Sequence, residues 1–149
     1  MLKKNLIACA LGVSFTLVSI TATAAPLITP KEAQMPPASG ELKTRGIARG
    51  PGIKVISPDV TAAEIKGPFD LKVVFESRGG NKVDASAVKV TYLKATAVDL
   101  TPRLKGAITE SGIDFAKAEV PPGEHAVKIT VKDVEGRETN TVMNLVVGK

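Results

Sequence analysis

The chain has 149 residues and a formal net charge of +5, with one cysteine, one histidine and no tryptophan. That length fits one domain behind a short leader. One cysteine excludes a disulfide framework and a cysteine-based zinc site, and the charge has to be located before it says anything about partners.

The first 24 residues read as an export signal. Lys3 and Lys4 form a positive start, and Leu6 to Ile20 is a fifteen-residue run without charge. As a helix this run would span about 22 Å, short of the roughly 30 Å hydrocarbon core of a bilayer, so it reads as a removable segment and not a membrane anchor. Small residues follow as T-A-T-A-A-P, and the proline places cleavage after Ala24, with Ala25 as the first mature residue. The run Leu6-Ile7-Ala8-Cys9 has the form of a lipid-attachment motif, but the apolar stretch continues past it, where a lipobox should end. Cleavage removes Cys9 and leaves a periplasmic or secreted product with no stable membrane anchor.

Residues 25–52 carry five prolines and four glycines. Such a composition leaves little room for a helix or an inner strand, and the reading is a disordered, flexible leader. The leader holds Lys31, Lys43, Arg45 and Arg49 against Glu32 and Glu41, whereas residues 53–149 hold fourteen basic and thirteen acidic side chains. The domain is therefore almost neutral. It lacks the clustered basic face that nucleic acid needs, and nucleic acid is excluded as a partner.

From Ile53 onward the apolar residues recur with period two, the signature of half-buried strands. Ile53 and Val55 predict a first short strand before Ser57-Pro58. Phe69 to Glu76, Val88 to Tyr92, Glu124 to Lys132 and Thr139 to Val147 predict longer ones. Asp133 to Gly136 is a hairpin turn. Between Leu93 and Val120 the pattern is broken. Thr101-Pro102 fits a helix N-cap followed by proline, and short strands are expected near Ile108 and Ile113. Without any sustained 3.6-residue period, some seven short strands with regular turn signals predict a single all-β antiparallel sandwich.

Three groups of residues are candidates for chemistry. His125 must serve any acid–base or metal role that needs an imidazole, yet it falls on the inward phase of its strand with Val127 and Ile129. Asp133, Glu135 and Glu138 supply oxygen ligands around the final turn, without the regular spacing of a dedicated calcium loop. Asp99, Thr101 and Arg103 lie where the strand pattern lapses, and loops on rigid scaffolds often bind. Asp99 and Thr101 can equally cap a turn while Arg103 pairs with a carboxylate. Mature Met35 and Met143 do not make a copper site. Phe69, Phe75 and Tyr92 all fall on inward phases, which leaves no aromatic platform for sugars or unpaired bases.

The run P-P-G-E-H-A-V-K-I-T-V-K-D-V-E-G-R, Pro121 to Arg137, resembles the last hairpin of bacterial immunoglobulin-like domains. The resemblance implies an immunoglobulin-like sandwich over residues 53–149. It also implies that His125 holds the corner position often filled by tyrosine, whose polar tip bonds to nearby backbone. Such domains serve many roles, so the fold alone implies almost nothing about function. No nucleophile setting such as G-x-S-x-G is present and no cofactor is implied. The expectation is a non-enzymatic, exported interaction module that contacts another envelope or secreted protein. The alternative is a carrier or sensor of a small ligand or divalent metal, using residues 99–103 or 133–138.

Overall fold

The computed structural model describes residues 25–40, 49–59, 61 and 63–149. The signal segment with Ala24, and residues 41–48 of the leader, lie outside the described residues. Among the described residues there are nine strands, two single-turn helices and one 3-10 turn (Ala85–Ala87). One sheet has the order β1 (Ala25–Pro26), β7 (Gly112–Glu119), β3 (Phe69–Glu76), β2 (Gly52–Ser57), with β6 (Ile108–Thr109) also on β7. The other has the order β5 (Val98–Asp99), β4 (Lys89–Tyr92), β8 (Gly123–Lys132), β9 (Glu138–Val147). All strand pairs are antiparallel except β1 with β7. The protein is thus an all-β structure of two sheets, as the period-two pattern predicts.

The alternation sorts residues between core and solvent. Phe69, Leu71, Val73 and Phe75 of β3 face Val127, Ile129 and Val131 of β8 and Val90 and Tyr92 of β4 in one buried cluster. Their neighbours Asp70, Lys72 and Glu76 are exposed. The β8–β9 pairing holds register over ten residue pairs, from Gly123 with Val147 to Lys132 with Glu138. Gly136 turns the hairpin at φ +79, a conformation that costs glycine little. In β7, a Cβ on Gly112 would overlap the Val73 carbonyl oxygen, so only glycine lets these backbones approach.

The leader departs from expectation. Residues 25–40 are a structured strap and not a disordered tether. Leu27 and Ile28 are each 1% exposed and belong to the core. The amides of Leu27 and Ile28 donate to the Glu119 carbonyl at 2.9 and 3.3 Å. Helix α1 (Pro30–Ala33) begins with a complete capping box: the Thr29 hydroxyl accepts from the Glu32 amide, and the Glu32 carboxylate accepts from the Thr29 amide. The prolines do not prevent this order. Pro30 occupies the first helical turn, where its missing N–H is no loss, and Pro26 sits in a two-residue strand on the outer side of β7.

The strap closes one flank of the sandwich by running from β7 to the end of β4, where Ala95 N–H donates to the Pro36 carbonyl at 2.8 Å. On β9, Ile65 makes the equivalent link. Its amide donates to Val146 at 2.7 Å and its carbonyl accepts from Gly148 at 2.9 Å.

A core role for the strap has a measurable cost. Leu27→Ala should destabilise the protein by about 2–4 kcal/mol in urea unfolding, as expected for a buried leucine. A loss below about 0.5 kcal/mol, the level of an ordinary surface change, would mean that the strap does not belong to the core.

Candidate functional site

His125 lies on β8, is 3% exposed, and uses both ring nitrogens. Nε2 is 2.7 Å from the Pro121 carbonyl oxygen and Nδ1 is 2.8 Å from the Tyr92 hydroxyl. A carbonyl only accepts, so Nε2 carries the proton and the Tyr92 hydroxyl donates to Nδ1. The alternation of β8 turns His125 inward opposite Leu145 of β9, and the alternation of β4 brings Tyr92 inward beside it. The imidazole thus ties the Pro121 turn to β4. Burial holds its pKa below the usual histidine value, Lys94 adds to that, and the Pro121 bond opposes it. Tyr92 is pushed up by burial and by the Glu32 charge.

Asp133 is 4% exposed and turned into the hairpin. Its Oδ1 accepts from the Glu135 and Arg137 amides at 3.0 and 2.9 Å, and its Oδ2 accepts from Arg137 Nε at 2.7 Å. Burial pushes this carboxyl up, but the Arg137 and Glu135 bonds outweigh it and leave it below the ordinary range. Glu135 pairs with Arg137 at 3.4 Å and Glu138 pairs across the hairpin with Lys132 at 3.2 Å. The three acids that the sequence offers as metal ligands therefore do not converge. Arg137 holds the oxygen that a cation would need, and among the described residues no three His, Cys, Asp or Glu side chains form a metal-binding group.

Asp99, Thr101 and Arg103 flank and form helix α2 (Thr101–Leu104), and they point in different directions. Asp99 Oδ1 accepts from the Thr101 amide at 2.9 Å, and hydrogen bonds from Thr101 hold the Asp99 carboxyl below its ordinary range. The helix N-cap is Leu100 and not Thr101, and it has no side-chain cap bond. The Thr101 hydroxyl is drawn instead to β4, where it accepts from the Val90 amide at 2.9 Å. This bond serves an inter-strand edge that a helix cap would leave unpaired. Arg103 reaches away from Asp99 to the strap. Its two terminal nitrogens meet the two Glu32 oxygens at 2.8 and 2.6 Å, and one of them also donates to the Leu27 carbonyl at 2.8 Å. The Arg103 bonds hold Glu32 down to about 2, against the opposing effect of burial.

A groove of about 620 Å³ is formed where β5, α2 and the 3-10 turn meet. Val88, Ala85, Pro102 and Ile108 line it, with Asp99 and Lys105 as charged groups. Asp99 and Thr101 are the two sequence candidates that reach it.

Tyr92, Lys94 and Glu32 are the partners that sequence reasoning did not assign. Tyr92 was legible only as an inward residue. Glu32 had a local signal, because Thr29-Pro-Lys-Glu32 is a capping-box pattern with proline after the cap. Comparison of the chain with protein-family models, curated proteins and solved structures finds no match. No helix among the described residues is long and apolar enough to cross a membrane.

The lowered His125 value fixes the sign of one pH effect. The unfolded chain takes up the proton first as pH falls below about 6.5, so the stability contributed by neutral His125 is present above that value and declines below it. Glu32 acts in a lower window, losing its contribution between 4.5 and about 2. Urea midpoints measured down the acid range should show both legs, with His125→Gln flattening the upper one and Glu32→Gln the lower one.

Proposed function

We propose that the protein is an exported, non-enzymatic accessory module with an immunoglobulin-like fold, which contacts another envelope or secreted protein through the Leu93–Val120 section. The observation that carries this reading is where the polar groups go. His125, Asp133 and Arg103 are consumed by Tyr92, Arg137 and Glu32, while the β5–α2 excursion offers a groove with an apolar floor and opposite charges at Asp99 and Lys105. An apolar centre with a few oriented polar groups is what a protein contact uses. The Pro121–Arg137 hairpin and the His125 corner support the immunoglobulin-like assignment. The signal segment supports export. The alternative of a small-ligand carrier shares this groove, whose volume is within the ligand-site range. A divalent metal at residues 133–138 is disfavoured by Arg137.

Two measurements test the reading. Sequencing the protein from the cell envelope should find Ala25 at its N-terminus. A photo-crosslinker at Ser86, on the groove, should capture one protein, whereas one at Lys54, on the other sheet, should not. Asp99→Arg should cut the yield at Ser86 more than about fivefold, the effect of losing a contact worth about 1 kcal/mol. Equal yields at both positions would overturn the assignment of the surface, and thermal stabilisation by a small molecule without any crosslink would favour the carrier.

A further inference from the structure

The side chain that links the His125 corner to the strap is Lys94. Its Nζ donates to the Ala33 carbonyl at 3.1 Å, at the C-terminal end of α1, and stands 5.3 Å from the centre of the Tyr92 ring. Tyr92 in turn donates to His125 Nδ1. The chain His125–Tyr92–Lys94–Ala33 thus runs from the sheet to the second half of the strap. The first half is held separately, by the Arg103–Glu32 pair and by Leu27 and Ile28.

We propose that His125 is a proton-sensitive latch, whose protonation loosens strap residues 33–38 from the body while residues 25–32 stay docked.

The coupling is electronic and electrostatic. While His125 is neutral, Tyr92 donates its hydroxyl proton, which makes the ring electron-rich and a good seat for the Lys94 ammonium. Proton uptake at Nδ1 reverses that bond: Nδ1 donates, Tyr92 accepts, and the ring becomes a poorer cation seat. The imidazolium also adds a positive charge beside Lys94. Around the histidine, β4 and the turn after it bring Tyr92 and Lys94, and β8 itself brings Glu124 at the rim of the adjoining groove. β9 brings uncharged Leu145, and α1 brings Glu32, whose charge reaches Tyr92 and is neutralised by Arg103 of α2. Among these charged groups only Glu124 would favour the imidazolium, alongside the Pro121 carbonyl bond. Loosening Pro37 and Ala38 opens the groove of about 370 Å³ that they share with Leu93, Lys94 and Asn144. Glu32 does not confuse the reading, because its own titration lies near 2.

Amide exchange followed by NMR tests this on the purified protein. The Ala95 amide, which donates to Pro36, reports the second half of the strap, and the Leu27 amide, which donates to Glu119, reports the first. As His125 titrates, protection at Ala95 should fall about tenfold or more beyond the fall shared by the core amides, with the midpoint of the His125 ring signals, while Leu27 follows the core. Lys94→Met should show the loosened state at every pH, and His125→Gln should show no pH-dependent change. The proposal fails if Ala95 loses no more protection than Leu27 and the core amides, if Ala95 does not respond as His125 titrates, or if Lys94→Met retains the response.

Discussion

The two-pronged contact of Arg103 with Glu32 decides what kind of object this domain is. A single guanidinium joins α2, which leaves the β5 end of one sheet, to the strap that docks on β7 of the other. Planar pairing of this kind is directional as well as attractive. It places the Leu27 backbone where its amide reaches Glu119 and its side chain enters the core. The capping box then serves a second purpose: the oxygen that satisfies the Thr29 amide also receives Arg103. An apolar pair in a proline-rich run becomes part of a sandwich because one carboxylate is shared between a helix start and an arginine more than seventy positions away.

The same economy appears at the other polar centres. Asp133 spends its oxygens on the hairpin it sits in, and His125 spends its nitrogens on a turn and a neighbouring strand. Buried polar groups carry a penalty unless they are bonded, and a domain without disulfides uses such bonds to fix its turns. Residues that look chemically promising in the sequence are thus drawn into structural work, and the surface left for recognition is shaped by backbone excursions. The β5–α2 step is the clearest of these.

Much of the sandwich was legible because strand periodicity is a local property. Phe69 to Glu76, Val88 to Tyr92 and the final hairpin fell where alternation placed them, and His125 turned inward with the phase of β8. The turn at Asp133 was legible for the same reason, since the bonds of its carboxylate reach at most four residues along the chain. The direction of Arg103 was half legible. A carboxylate partner could be expected, but Glu32 could not be chosen from among fifteen acids. A threonine before proline has a strong local preference for capping, which at Thr101 is overridden by the Val90 amide from outside that window.

The sequence by itself determined the all-β class, the near-neutral charge of residues 53–149 and the inward placement of Tyr92 and His125, because each depends on residue type and on period-two spacing. Tertiary structure decided that residues 25–40 belong to the body, that Asp133, Glu135 and Glu138 do not converge, and that Asp99 and Arg103 part company. These outcomes rest on contacts between residues distant in the chain, or on the competition of several groups for one carboxylate. Composition cannot weigh such contacts: a proline-rich run reads as disorder, yet residues 25–40 are ordered where Arg103, Lys94 and the core give them partners.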